Sequence, residues 1–350
     1  MAIIGATGLV GRTMLEVMEE LVLPVDELLP AGSAQSAGKE VEFQGRKWTV
    51  QNVEEVLAAR PQVALFSAGG DVSKKWAPEF AKAGITVIDN SSAWRMDPDC
   101  PLVVPEVNGD IIGPDDRIIA NPNCTTMQLV MALKPLHDAF CIQRGVVSTY
   151  QSVTGTGQAA VDQLNGERAG LDPERVYPHA IDQNCLPHCD VFLENGYTKE
   201  EMKVHQETKK ILGDPSIGLS CTAVRVPVLG GHSESVYLEL GSDVDLNEVR
   251  AAWSAFPGVV VQDAPHDNDY PMPRQAQGED EVFVGSGVLI QNNYKLIAAA
   301  NPGDDARWSG PLYPKVPATG NTTMSCSPQR PCLFDVVADY REEHDLASAR

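Results

Sequence analysis

The sequence predicts an α/β chain with a largely parallel sheet in its N-terminal part and a mixed α+β domain after it. Three observations carry this. Short, continuous apolar runs alternate with helix-period segments up to residue 120, as strands buried on both faces do. The first run opens onto Gly5-x-x-Gly8-x-x-Gly11, a strand–turn–helix signature. From Val146 the texture changes to longer strands, one of them alternating, and isolated helices.

The elements follow in order. Residues 1–4 are apolar and form the first strand; Met14, Leu15, Val17, Met18 and Leu21 place a helix behind the glycine turn. Residues 27–31 are the second strand. Further strands are predicted at 63–66, 85–88, 102–104 and 118–120, with helices at 54–59 and 74–83 between them. After Asn121-Pro122-Asn123-Cys124-Thr125-Thr126, the spacing of Met127, Leu129, Val130, Leu133 and Leu136 predicts a helix. Residues 146–150 read as a strand and 158–168 as a helix, followed by a long loop with Pro173, Pro178 and Pro187. Thr198 stands three residues before Glu201, a capping box that opens a helix to about Leu212. Residues 222–228 and 235–240 are strands. In the second, Val236, Leu238 and Leu240 alternate with Ser235, Tyr237 and Glu239, which predicts one buried face and one wet or interfacial face. A short helix is expected at 247–255. From 286 onward, Pro302, Pro311, Pro314, Pro317, Pro328 and Pro331 break periodicity and predict an irregular, weakly packed tail over much of 300–332. The expected division is 1–123 for dinucleotide binding, 124–285 for catalysis, substrate and dimerisation, and 286–350 for the tail.

Composition narrows the function. A net charge of -21 argues against nucleic-acid or membrane surfaces. The eight cysteines lack paired, regular spacing, and no apolar run reaches the roughly 18 residues of a membrane span. With no signal peptide recognised, the expectation is a soluble cytoplasmic protein with free thiols.

Four segments carry chemistry. A cysteine where a loop enters a helix meets unpaired N–H groups and the positive end of the helix dipole, both of which favour thiolate. Cys124 is therefore a candidate nucleophile; the bland alternative is an ordinary cap at Asn123 or Thr125 with a passive cysteine. Gly5, Gly8 and Gly11 let a backbone approach a pyrophosphate at a helix N-terminus, the basis of a Rossmann-type nucleotide domain. The second strand leads into Gly32-Ser33-Ala34-Gln35-Ser36-Ala37-Gly38-Lys39, without the acid that grips a bare ribose 2′-hydroxyl. Ser33, Gln35, Ser36 and Lys39 could surround a 2′-phosphate, which tilts the expectation toward NADP. Arg225 lies on a strand and His232 follows a Gly-Gly bend. An arginine fork suits a carboxylate and histidine suits acid–base work near neutrality. Cys185-Leu-Pro-His188-Cys189 lacks zinc spacing and a second ligand pair, so no metal is expected.

These segments resemble the aspartate-semialdehyde dehydrogenase family. The matching runs are Gly5-Ala-Thr-Gly-Leu-Val-Gly11, Leu65-Phe-Ser-Ala-Gly-Gly70, Asp89-Asn-Ser-Ser-Ala-Trp-Arg95, Val103-Val-Pro-Glu-Val-Asn108, Asn121-Pro-Asn-Cys124, Ser148-Thr-Tyr-Gln151-Ser-Val-Thr-Gly-Thr-Gly157, Glu200-Glu-Met-Lys203, Arg225-Val-Pro-Val and His232-Ser-Glu-Ser-Val236. The resemblance covers about residues 1–285 and implies a function: NADP-dependent interconversion of L-4-aspartyl phosphate and L-aspartate 4-semialdehyde through a cysteine thioester. That step feeds lysine (by diaminopimelate), threonine and methionine biosynthesis. It implies Cys124 as nucleophile, His232 as general acid/base and Gln151 as the residue orienting the acyl group. Arg225 would clamp the substrate carboxylate, Glu200 would partner its ammonium, and Arg95 and Lys203 match phosphate-binding positions. Thr7, Gly8, Leu9, Val10, Gln35, Ser36, Thr154 and Gly155 match cofactor contacts, and a homodimer or homotetramer is implied. Two departures stand out. The family usually has arginine where Gln35 stands, and beyond 285 the proline-rich tail replaces the family's returning helix. An N-acetyl-glutamyl-phosphate reductase is the alternative enzyme, disfavoured by Glu200, an acid suited to a free ammonium. An inactive homologue that binds nucleotide or oligomerises is the alternative of another class.

Overall fold

A computed structural model describes residues 1–285 in full and, beyond them, the strand backbone of Ile290–Gln291, Tyr294–Ile297 and Cys332–Asp335. Those three strands form one antiparallel sheet. Otherwise the irregular tail expected over 300–332 lies outside the described residues. The chain divides into two units. The first is Met1–Gly241 with Phe256–Val259 and Met272–Val282; the second is Ser242–Ala255, Val260–Pro271 and Phe283–Arg350.

The first unit begins with β1 (Ala2–Ile4), α1 (Leu9–Glu20) and β2 (Leu29–Ala31). A hairpin follows, β3 (Glu40–Phe43) and β4 (Arg46–Thr49), then α2 (Val53–Ala59), β5 (Val63–Phe66), α3 (Gly70–Lys82) and β6 (Thr86–Asp89). The short α4 (Pro105–Asn108) precedes β7 (Ile118–Ala120). The sheet runs β2-β1-β5-β6-β7, and every pairing is parallel. Adjacent strand residues point to opposite faces, so two cores form. Ala2, Ile4, Phe66, Phe80 and Val87 pack on one side, and Ile3, Leu15, Met18 and Phe43 on the other.

The glycine turn is sterically required. Gly5 has φ +99°, and a Cβ there would lie 2.5 Å from the Ser67 carbonyl oxygen. A Cβ on Gly11 would lie 2.2 Å from the Gly5 oxygen. Helix α1 therefore packs against the turn backbone to backbone.

Two expectations change here. The β3–β4 hairpin was not visible in the sequence pattern. Its turn is Gln44-Gly45, with φ of 52° and 65°, a left-handed pair that matches strand twist. The strand expected at 102–104 reduces to one bridge, Leu102 to Ala120, plus a Val103 N–H bond to the Ala120 oxygen. Pro105 ends it, because a ring-locked φ without an N–H suits the first position of a helix, here α4.

The rest of the first unit starts with α5 (Cys124–Phe140) and β8 (Ile142–Gln151), then α6 (Gln158–Arg168) and α7 (Lys199–Leu212). Then come β9 (Gly218–Arg225) and β10 (Ser233–Leu240). The sheet order is β10-β8-β9, antiparallel on the β10 side and parallel on the β9 side. Strand β9 begins and ends earlier than 222–228. The α7 capping box is present: Glu201 N–H donates to Thr198 Oγ1, and Glu201 Oε2 accepts from the Thr198 N–H at 2.6 Å. Glu201 Oε1 also accepts from Ala223 N–H at 2.9 Å, tying α7 to β9.

The burial expected for β10 is corrected. Val236 is 37% exposed, as is Tyr237 on the opposite face. As an edge strand, β10 pairs only with β8 among the described residues, so its side chains lack cover on the outer side. In the second unit, α8 (Leu246–Ser254) is capped by Asp245, which accepts from Asn247 and Glu248 N–H groups. Among the described residues, no helix is long and apolar enough to cross a membrane.

Gly11→Ala should destabilise the first unit by about 1–3 kcal/mol, the ordinary cost of overpacking, with a fall of a few degrees in thermal midpoint. Chemical denaturation measures it, and an unfolding curve identical to wild type would mean the helix–turn contact is loose.

Candidate active site

The loop entering α5 is held from below by α7. Glu207 is buried, and its Oε2 accepts from the Asn123 N–H at 2.7 Å. Asn123 is the N-cap residue by backbone geometry, yet its side chain does not cap the helix. Its Nδ2 donates instead to Glu200 Oε1 and Thr125 Oγ1, both at 2.7 Å. The ordinary-cap reading of Asn123 therefore fails. The first turn of α5 is left with Cys124 at its mouth, reachable from solvent.

Strand β9 delivers Arg225, and the bend at Gly230 and Gly231 (φ +74° and +69°) delivers His232. His232 Nε2 lies 3.2 Å from Cys124 Sγ. The backbone N–H of Ser152, at the end of β8, donates to His232 Nδ1 at 3.0 Å. A ring nitrogen that accepts cannot carry the proton of a neutral imidazole. The neutral ring therefore holds its proton on Nε2, facing the sulfur. Burial, then the Arg225 charge, push His232 down to about 4, with Glu200 opposing. It is neutral near pH 7.

The helix-terminus argument predicts a thiolate; the surroundings act against it. Although the residue is reachable from solvent, desolvation by the protein packed around its sulfur and then the Glu200 charge push the Cys124 thiol up to about 11. The Thr125 N–H and the charges of Arg225 and Arg95 pull the other way and do not win. The free site holds a thiol beside a neutral imidazole.

The charged groups are packed and paired. Glu200 accepts from Asn123, from Gln151 Nε2 at 3.2 Å and from Lys203 Nζ at 3.0 Å. Burial raises its carboxyl, but Lys203 and these donors outweigh burial and hold it below the usual range. Lys203 is also bonded to Asp190 at 2.8 Å; burial lowers its ammonium, and Glu200 and Asp190 bring it above the usual value. Buried Arg225 donates to the Ser152 oxygen at 2.6 Å, and its Nε has no hydrogen-bond partner among the described residues. A Cβ on Gly155 would lie 3.1 Å from the Arg225 guanidinium and 3.4 Å from the His232 ring, so glycine keeps this approach open. Thr154 sits beside it, its hydroxyl 2.8 Å from Ser152 Oγ. A cavity of about 630 Å³ is lined by Arg95, Lys203, Lys74, Lys199 and Ser92, among others.

The nucleotide-type residues also meet. Gly5, Gly8 and Gly11 line a turn at the carboxyl end of β1, where ligands of parallel sheets bind. Thr7 Oγ1 lies 3.1 Å from Ser36 Oγ, joining the first turn to the Ser33–Ser36 loop after β2. Leu9 and Val10 open α1. A glycine cradle that any Cβ would fill and two adjoining hydroxyls fit a dinucleotide. The sequence pattern gives Ser152 and Glu207 no role, and Asn123 only that of a possible cap. Ser152 adjoins Gln151, and Glu207 stands two helical turns from Glu200 on the same face of α7; those positions were the available signals.

Comparison with known proteins agrees with this geometry. Residues 1–113 match the semialdehyde dehydrogenase NAD binding domain, and residues 133–301 match the semialdehyde dehydrogenase dimerisation domain, past the limit of 285 read from motifs. An aspartate-semialdehyde dehydrogenase of Aquifex aeolicus is 51% identical over 293 residues, covering 81% of this chain and 86% of the relative. The crystal structure of aspartate semialdehyde dehydrogenase II from Vibrio cholerae has a TM-score of 0.78 at 48% identity, over 82% of this chain and 87% of that one. A second structure of the Vibrio cholerae enzyme, complexed with ASA, has a TM-score of 0.77 at 47% identity, over 81% and 85%.

A thiol near 11 has a direct consequence. Carboxamidomethylation of Cys124 in the free protein should accelerate roughly tenfold per pH unit between 7 and 9, because thiolate is the reacting form. A rate that levels off below pH 8 would show a preformed thiolate–imidazolium pair and overturn the neutral description.

Proposed function

We propose how this chain works from one premise: it belongs to the aspartate-semialdehyde dehydrogenase family. It is an oxidoreductase, with a nicotinamide-nucleotide domain and a dimerisation domain, and it interconverts L-4-aspartyl phosphate and L-aspartate 4-semialdehyde. The relatives reported above all carry that activity in their names, so the acetylated-substrate reductase and the binding-only homologue are set aside. The observation that carries the reading is the 3.2 Å contact between Cys124 Sγ and His232 Nε2 beside Arg225 and Glu200.

Arg225 would take the α-carboxylate of the substrate with the donors it has to spare, and Glu200 its ammonium. Both contacts act on the reacting pair. An ammonium beside Glu200 offsets a charge that holds the thiol up, and a carboxylate on Arg225 offsets a charge that holds His232 down. Substrate binding thus eases ionisation of the thiol and leaves the His232 Nε2–H as a donor toward the acyl oxygen. Cys124 then loses its proton to solvent and attacks the acyl carbon as thiolate; the carbon–oxygen bond to phosphate breaks, phosphate leaves, and a thioester forms on the sulfur. Arg95 and Lys203 would hold the phosphate; Gln151 would orient the acyl oxygen, and His232 would give or take the proton there. In the oxidative direction the same residues act in reverse. The nicotinamide, when bound, supplies or accepts the hydride; Gly5, Thr7, Gly8, Leu9, Val10, Gly11, Thr154 and Gly155 would hold it.

The finer features belong to this proposal as well. NADP rather than NAD is favoured by the absence of an acid near Ser33, Gln35 and Ser36, whose polar groups suit a 2′-phosphate. The division at 123 and 285, a cytoplasmic site of action and inorganic phosphate as co-substrate complete it. A homodimer or homotetramer would cover the exposed sheet side chains Val146, Tyr150 and Tyr237.

The first test is an assay of the purified protein with aspartate semialdehyde, phosphate and NADP. Cys124→Ala should lower kcat by more than about 10³-fold with an unchanged circular dichroism spectrum; near-normal turnover would remove the nucleophile. Arg225→Lys should mainly raise KM for the amino-acid substrate, and Lys203→Ala mainly KM for phosphate. Equal effects on both substrates would abolish the separate roles. Gln35→Arg should raise the NADP-to-NAD preference about tenfold, a gain of about 1.4 kcal/mol. A wild type clearly faster with NAD would contradict the cofactor assignment.

A further inference from the structure

Glu207 touches neither the thiol nor the imidazole, yet it closes a ring around the nucleophile loop. Its Oε1 accepts from Arg95 Nη1 at 3.1 Å and its Oε2 from the Asn123 N–H at 2.7 Å. Arg95 returns to the same loop: its Nε donates to the Asn121 oxygen at 2.9 Å, and its Nη2 to the Asn90 oxygen at 3.0 Å. The backbone on the amino side of Cys124 is thus gripped at Asn121 by a cation and at Asn123 by an anion, and the two grips are bonded to each other. Both side chains are buried. Arg95 carries five N–H donors; three are spent here, and the other two stay with a residue that lines the adjoining cavity.

We propose that Glu207 is the positioning residue of this active site: a single carboxylate sets the register of the Asn121–Cys124 loop through the Asn123 N–H and fixes Arg95 in the orientation that serves phosphate. The phosphate half rests on the role given to Arg95 above; the loop half does not. The position demands a carboxylate. An amide of the same shape offers one acceptor and one NH₂ group, so one of the two N–H partners would face another donor. Aspartate is one methylene shorter and cannot span both.

Three variants test it: Glu207→Gln, Glu207→Asp, and the double change Arg95→Met with Glu207→Met. The double change removes both charges together, which a packed interior tolerates better than a lone buried charge. In Glu207→Gln, kcat should fall about tenfold to a hundredfold, the scale of a misplaced reacting group, and KM for phosphate should rise. The pH midpoint for alkylating Cys124 should also move down, because Arg95, one of the charges that lowers this thiol, loses its counter-charge. The double variant should lose turnover without that downward move. Glu207→Asp should fall between wild type and Glu207→Gln in kcat. A purely structural carboxylate would lower thermal stability and leave the alkylation midpoint and the kcat of the folded fraction unchanged. Turnover within twofold of wild type in folded Glu207→Gln or in the folded double variant would overturn the proposal. If wild type itself lacks the dehydrogenase activity, the function above fails, while the alkylation profile still decides the loop grip.

Discussion

Two carboxylates buried on one face of α7 constrain everything around them. A carboxylate taken out of water costs several kcal/mol unless donors replace its hydration. Glu200 and Glu207 find those donors in different parts of the chain: Asn123 and Arg95 from the first half, Gln151 at the end of β8, and Lys203 on α7 itself. Satisfying both acids therefore decides where the cysteine loop, the end of β8 and the Asp89–Arg95 segment must meet. The site is the by-product of a hydrogen-bond requirement that the fold has to meet anyway.

The same burial explains why the free site is electrically quiet. Burial first and the Glu200 charge second keep the thiol protonated; burial first and the Arg225 charge second keep the imidazole neutral. In the proposed binding mode, each opposing charge is the one that a zwitterionic substrate would neutralise. A cysteine held as a thiol until then is protected from alkylation and oxidation, which act on thiolate. The Ser152 N–H adds a geometric lock by occupying His232 Nδ1, so the ring's single proton is already on the side of Cys124, where the proposed reaction would need it.

Much of this could be read from the sequence where the cause is local. The capping box at Thr198 and Glu201, the helix at Gln158–Arg168 and the glycine turn depend on neighbours a few residues apart, and the structure has all three. Failures occurred where the cause is distant. The dipole argument at Cys124 could not see the desolvation of the thiol or, second to it, the charge of Glu200, whose link to Asn123 spans 77 positions. The alternation in β10 says which residues share a face, not whether anything packs against that face. The Gln44-Gly45 turn was missed because glutamine rarely signals a left-handed pair; Asn or Asp would have. Glu207 looked like one more acid on an acidic helix. Only the fold shows that it faces inward.

Net charge and site charge answer different questions. With 48 acidic and 27 basic residues, the protein repels a polyanion, which needs an extended row of cations and is bound by releasing many counterions. A single phosphate or carboxylate needs two or three donors in fixed geometry. Here Arg95, Arg225 and Lys203 are held in position by their own hydrogen bonds and ion pairs. Beyond about 8 Å, the surrounding acids are screened by physiological salt, so the overall field neither guides nor bars a small anion once it is inside the cleft. What remains is short-range and geometric: an arginine fork discriminates by the spacing of two oxygens. An acidity unfavourable to a polyanion is thus compatible with the proposed anion site, because its cations are few and fixed.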